Sequence, residues 1–169
     1  VAQPSAFTDP TTNVYDVDGE QRHRGLDVNL FGEPTEGIRI LGGVSFIDSE
    51  LTETQTASNI GNKGVGAPRW RFVMGGEWDL PQVEGLTLTG RVTHLTSTFR
   101  DTANLQKIDG HSRVDIGARY TFERQGGEPI VVRASIENLF NTSFWGVNTF
   151  GQMHIGDPRT YKLSASFDF

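Results

Sequence analysis

Apolar and polar residues alternate with period two along most of this chain, which predicts strands rather than helices. The alternation breaks at clusters of Gly, Pro, Asn and Asp, the residues that favour turns and loops. Between those breaks lie about seven strands. The first runs from about Tyr15 to Gly32, with Leu26, Val28 and Leu30 on one face and Asp27 and Asn29 on the other. The second, about Gly37 to Glu50, gathers Ile38, Ile40, Val44 and Phe46. The third, Arg69 to Leu80, sets Trp70, Phe72, Met74, Trp78 and Leu80 against Arg69, Arg71, Glu77 and Asp79. The fourth, Leu86 to Arg100, sets Leu86, Leu88 and Val92 against Thr87, Thr89, Arg91 and Thr93, but Leu95 and Phe99 fall on the opposite parity. The fifth, Ser112 to Glu123, opposes Val114, Ile116, Ala118, Tyr120 and Phe122 to Arg113, Asp115, Arg119 and Thr121. The sixth, Pro129 to Phe140, opposes Ile130, Val132, Ala134 and Ile136 to Arg133, Ser135 and Glu137. The last is TYKLSASFDF, which alternates up to its terminal Phe169.

The connections differ in kind. GEPTEG, PQVEG and RQGGE are tight turns, whereas Leu51–Pro68, Asp101–His111 and Asn141–Pro158 are long and polar. Short turns at one end and long loops at the other is the pattern of an up-and-down transmembrane barrel. Trp70, Trp78, Tyr120, Phe122, Phe167 and Phe169 stand near strand ends, where an interfacial aromatic girdle would place them. Periodicity does not decide which face is wet. In a soluble barrel binding a small ligand, Trp70, Phe72, Val114, Ile116 and Tyr161 point inward; in a large membrane barrel they meet lipid. A small structural or adhesive outer-membrane barrel is a third reading. The expected fold is all-β, an antiparallel meander of about seven strands forming part of a larger transmembrane barrel. Residues 1–14 are expected to be the tail of an extracellular loop and residues 15–169 the barrel strands.

Composition narrows this picture. The chain has 169 residues, 36% hydrophobic, with 20 Gly and a net charge of −6. Modest hydrophobicity is compatible with a membrane barrel, whose strands need only one apolar face. An acidic chain without a basic cluster argues against nucleic-acid binding. Without Cys there are no disulfides or Cys-ligated metals. His23, His94, His111 and His154 are scattered without metal-binding spacing, and no nucleophile elbow or phosphate-binding loop is present. Neither an enzymatic activity, a cofactor nor a resident metal is therefore expected.

GEQRHRGLDVNL (19–30), RVDIGARYTF (113–122), ENLFN (137–141) followed by Trp145, and the closing GDPRTYKLSASFDF together resemble the C-terminal barrel of TonB-dependent outer-membrane receptors, particularly ferric-siderophore receptors. Asp27 stands where that family more often has Glu. The resemblance implies a Gram-negative outer membrane and a barrel of about 22 strands filled by an N-terminal plug. It implies that TonB engages a segment near the start of the plug. Neither plug nor segment is in this chain, so the fragment is not expected to be transport-competent alone. The implied partners are outer-membrane lipid, the barrel-assembly machinery, the missing plug and remaining strands, TonB, and a ferric siderophore whose iron arrives already chelated.

Tyr161, Leu163, Phe167 and Phe169 then resemble the signal read by the assembly machinery, by addition of an extended segment to an exposed edge. Trp145, Phe150 and His154, on the last long loop, are candidate ligand contacts, with packing against neighbouring loops as the plainer role. ENLFN reads as structural, its Asn138 and Asn141 suited to turns. Arg69, Arg71, Arg91, Arg113, Arg119 and Arg133, with Glu77, Asp79, Asp115 and Glu137, are expected on the lumen face as cross-strand ion pairs or plug contacts.

Overall fold

The structure, a computed structural model, describes the backbone of residues 2–8, 15–124 and 126–167, and side chains from residue 19 onward. Its main element is one antiparallel sheet of eight strands: β1 (Ala2–Thr8), β2 (Tyr15–Thr35), β3 (Ile38–Glu53), β4 (Trp70–Asp79), β5 (Leu86–Leu95), β8 (His111–Arg124), β9 (Gly127–Glu137) and β12 (Thr160–Ser166). Each strand pairs with the one before it in this order. Two small hairpins lie in the connections, β6 (Thr98–Phe99) with β7 (Lys107–Ile108), and β10 (Trp145–Val147) with β11 (Met153–Ile155).

All seven expected strands are present, and one more precedes them. Ala2–Thr8, expected as loop, pairs with Tyr15–Arg22 of β2. Leu95 stays in the ladder on the polar-face parity, opposite Arg71, whereas the off-parity Phe99 lies outside the sheet. The fourth strand stops at Leu95, short of the expected Arg100, and the chain leaves the sheet to form β6. The short turns reverse on glycines with positive φ, Gly37 at 76° and Gly85 at 82°. A side chain cannot replace Gly85 without displacing backbone, because an added Cβ would lie 2.6 Å from the Thr121 carbonyl oxygen.

Register turns the alternation into two continuous faces. One transverse row reads Gly32, Ile40, Gly76, Gly90, Ile116, Ile136 and Tyr161; the next reads Ile38, Trp78, Leu88, Ala118, Ala134 and Leu163. The opposite face carries rows such as Arg39, Glu77, Thr89, Gly117, Ser135 and Lys162. Trp70 and Trp78 mark the two ends of the apolar face of β4. At about 3.3 Å per residue they stand roughly 26 Å apart along the strand, which at the roughly 40° strand tilt of a membrane barrel spans about 20 Å of its roughly 25 Å apolar band. β2 and β3, at 21 and 16 residues, run well past that band.

The apolar face is not folded inward. Trp70, Phe72 and Ile116 are exposed, as is Tyr161 at 69%. The sheet is also open, with β1 and β12 at opposite edges. The soluble-barrel alternative requires Trp70, Phe72, Ile116 and Tyr161 to pack a core, and within this chain they pack none. Among the described residues the buried hydrophobic side chains are Leu51 and Val65, both at the long-loop end. Packing under the loops, not a sheet core, is where apolar groups are sequestered.

Candidate functional site

The polar face and the loops above it are the parts able to recognise anything. Two charge clusters organise the face. In the lower one, near the short turns, Arg39 donates from Nη1 to Asp79 Oδ2 at 2.6 Å and from Nη2 to Asp79 Oδ1 at 2.8 Å and Glu77 Oε2 at 3.0 Å. Thr87 Oγ1 donates to Asp79 Oδ1 at 2.6 Å, and Arg119 Nη2 donates to Glu77 Oε2 at 3.4 Å. The network stitches β3, β4, β5 and β8 together, with the fork of Arg39 matched to a carboxylate.

In the upper cluster, Asp115 is nearly buried. Its Oδ2 accepts from Arg91 Nη2 at 2.9 Å and Arg113 Nη2 at 3.0 Å, and its Oδ1 accepts the backbone N–H of Asn138 at 2.9 Å. Asn138 is 1% exposed, with φ 52°. Its Nδ2 donates to the carbonyls of Thr142 and Asp157, and its Oδ1 accepts from Thr142 N–H. Asn141, also at φ 52°, accepts Arg159 N–H on Oδ1. ENLFN is thus a clasp closing the base of the last loop, the structural role its Asn residues suggested.

Of the arginines expected to pair, Arg91, Arg113 and Arg119 do so with carboxylates. Arg133 instead reaches the Ser166 hydroxyl at 3.4 Å. Arg71 makes no ion pair among the described residues. Arg69, expected on the lumen face, lies 5.2 Å from the ring centre of Phe46, an apolar-face residue, as a cation–π contact. Arg39, the hub of the lower cluster, was missed. Its signal was available, as a lone charge of opposite parity between Ile38 and Ile40.

The three long loops are joined to one another. Asn62 Nδ2 donates to the Thr102 carbonyl at 2.9 Å, and Asn104 Oδ1 accepts Lys63 N–H at 2.7 Å. Gly66 N–H donates to the Phe99 carbonyl at 2.9 Å, and Arg100 Nη1 approaches Met153 Sδ at 3.4 Å. Above the apolar band, the Lys63 ammonium, 2.7 Å from Asp48, holds that carboxyl below the usual carboxylate range. Phe144 stacks on His111 with ring centres 3.7 Å apart.

Trp145 faces Ile155 across the β10–β11 hairpin, while His154 lies opposite Gly146 and so on the other face. Phe150 is exposed at the tip. The hairpin therefore displays these three candidate contacts in different directions. On β12, Tyr161 and Leu163 point outward with Ile136 and Ala134, and Lys162 and Ser164 line the polar face. Phe167 is exposed, and Phe169 lies outside the described residues. Among the described residues no three His, Asp or Glu side chains gather to hold a metal ion.

The family model for the β-barrel of TonB-dependent receptor-like proteins matches residues 1–139. The ferrichrome receptor FcuA of Yersinia enterocolitica is 42% identical over 100% of this chain, which spans 22% of that protein. The ferrichrome outer membrane transporter/phage receptor of Escherichia coli is 27% identical over 96% of the chain, again 22% of its own length. The crystal structure of BauA, the ferric preacinetobactin receptor of Acinetobacter baumannii, superposes with a TM-score of 0.86 at 36% identity, covering 99% of this chain and 26% of that one. These relatives are receptors and transporters, not enzymes. With its outward apolar band, charged inner face and long loops at one end, this chain belongs to the TonB-dependent receptor β-barrel family.

Proposed function

We propose that this chain supplies the C-terminal part of the barrel wall, and three extracellular loops, of an outer-membrane receptor that takes up a ferric siderophore with energy delivered through TonB. The observation that carries the reading is the open sheet with one continuous apolar face outward and a charged face inward. Such a sheet is stable only when lipid covers one side and further strands continue its edges. On this reading the rest of the barrel and a plug complete the lumen, and a segment near the plug's start engages TonB. Outer-membrane lipid contacts the band between Trp70 and Trp78. The assembly machinery reads Tyr161, Leu163, Phe167 and Phe169 as the closing strand is added. Of residues 1–14, expected as the tail of an extracellular loop, residues 9–14 lie outside the described residues.

Two relatives are named for ferrichrome and a third for preacinetobactin, so these are the first cargoes to test. The experiment is uptake of radiolabelled ferric siderophore by cells expressing the intact receptor, with and without TonB. Uptake that needs both the receptor and TonB is expected. Uptake unchanged by deleting either would overturn the proposal.

A further inference from the structure

The outward face of the wall ends in an uneven balance of charge. Just beyond Phe46 and Trp70, at the long-loop end, β2 and β3 carry Arg22, Arg24, Asp48 and Glu50 on the parity of the apolar face. Each carboxylate already has a cation: Glu50 lies 2.9 Å from Arg22, and Asp48 lies 2.7 Å from Lys63. Arg24, the register partner of Asp48, is exposed and makes no ion pair among the described residues. Arg69 is exposed as well, sits over the outward Phe46 ring, and likewise makes no ion pair among those residues.

Arg24 and Arg69 flank β3 from opposite sides. The Ile47 N–H donates to the Arg69 carbonyl at 2.9 Å, so Arg69 stands beside β3 one residue from Asp48. Backbones on the two sides of β3 lie roughly 10 Å apart at the usual strand spacing, within the joint reach of two arginine side chains. Two guanidinium groups on one face, with no carboxylate of their own, suit an oxyanion and above all a phosphate. Their depth says which phosphate. They lie one or two residues past the aromatic pair Phe46 and Trp70, at the level where lipid headgroups begin. Below them on the same face runs an apolar groove of about 340 Å³, lined by Val28, Val44, Phe72, Met74 and Val92. It exists because Gly42, between Leu30 and Met74 in register, has no side chain. Val28 is four residues from Arg24 on the same strand face, about 13 Å along β2, so one lipid molecule spans both.

We propose that Arg24 and Arg69 bind the phosphate of an outer-leaflet lipid, one acyl chain of which lies in the groove over Gly42. Charge complementarity selects a phosphorylated headgroup, and continuity with the lipid-facing band selects a lipid over a soluble anion. The inference rests on the receptor reading above, through that band, and adds a discrete lipid site with a stated chemistry.

The test titrates the intact, delipidated receptor in mild detergent with diphosphoryl lipid A or with its dephosphorylated form, and native mass spectrometry counts the lipids retained. Wild type should retain more of the phosphorylated form. Replacing both arginines, Arg24→Gln with Arg69→Gln, should remove one bound lipid by weakening it roughly 30-fold, the effect of losing two near-surface cations. Lys at both positions should keep that lipid, and Arg133→Gln, on the lumen face, should change nothing. Gly42→Leu fills the groove without strain, since an added Cβ meets nothing closer than the Val73 carbonyl oxygen at 3.8 Å; it should weaken the same lipid. Equal retention of the two lipid forms, or full retention by the paired Gln variant, would overturn the site. Binding indifferent to Gly42→Leu, or displaced by excess inorganic phosphate, would mark a site for a soluble anion and overturn the lipid. Barrel folding is scored separately by the faster gel migration of unheated samples. A wild-type receptor that fails to fold into a bilayer in that assay would instead overturn the underlying reading.

Discussion

Asp115 joins the barrel wall to the last loop: one carboxylate oxygen accepts the Asn138 N–H at 2.9 Å, while the other receives Arg91 and Arg113. A nearly buried carboxylate thereby satisfies two guanidinium groups and a backbone donor with no intrahelical or ladder partner. Asp115→Leu leaves those donors unmatched, at a cost of about 1–3 kcal/mol for the buried N–H alone. Hydrogen exchange should quicken in residues 138–159 with the barrel still folded. Asp115→Asn, which keeps an acceptor toward Asn138, should show the smaller change. Unaltered exchange in the Leu variant would show that the clasp does not depend on this carboxylate.

Asn138 separates side-chain bonding from backbone conformation. Asn138→Gly removes the bonds to Thr142 and Asp157 but keeps easy access to φ 52°. Asn138→Ala loses the same bonds and also holds a Cβ in the left-handed region, for roughly 1–2 kcal/mol more. Midpoints for the gel-mobility transition on heating should fall in the order wild type, Gly, Ala. A tie between Gly and Ala would mean that the backbone relaxes out of this conformation.

Much of the wall was legible because period two is a local signal and one face had to meet lipid. The parities of Trp70, Val114 and Tyr161 all match the observed register. β1 was not legible: AQPSAFT lacks clean alternation and contains Pro4, which is tolerated on an edge strand but contributes no N–H. It pairs with Tyr15–Arg22, the start of the strand that follows it. The loop contacts were equally hidden, since Asn62, Asn104 and Gly66 find partners some 30 to 40 residues away through amides and backbone. Phe31 and Leu41 show the opposite case. Their off-parity positions were visible in the sequence, but only the register made them neighbours.

The two faces of the wall should respond oppositely to the same substitution. Met74 sits midway between Trp70 and Trp78 on the outward face. Met74→Arg should destabilise folding into lipid vesicles by about 2–4 kcal/mol, the depth-dependent cost of a cation at the bilayer midplane. Thr89 faces the lumen as register partner of Glu77, so Thr89→Arg gains a neighbouring carboxylate and should change stability by less than about 1 kcal/mol. Urea titrations followed by tryptophan fluorescence measure both. Equal penalties would remove the assignment of these faces.

Gly66 of the first long loop lies against the backbone of Asn148 in the third. Its φ is 68°, and an added Cβ would lie 2.6 Å from the Asn148 carbonyl oxygen, with backbone rather than a flexible side chain in the way. The same residue donates its N–H to the Phe99 carbonyl, so it also fixes the second loop. Gly66→Val should therefore part all three loops without touching the membrane band. Lys63, Arg100 and Lys107, which lie in or beside those contacts, become the reporters: trypsin added to intact cells should cleave there faster in the variant than in wild type. The sheet should keep its register and its gel mobility in unheated samples, because the altered contacts lie in the loops, outside the sheet. Cleavage at the wild-type rate would show that the loops are held by their own hairpins rather than by one another.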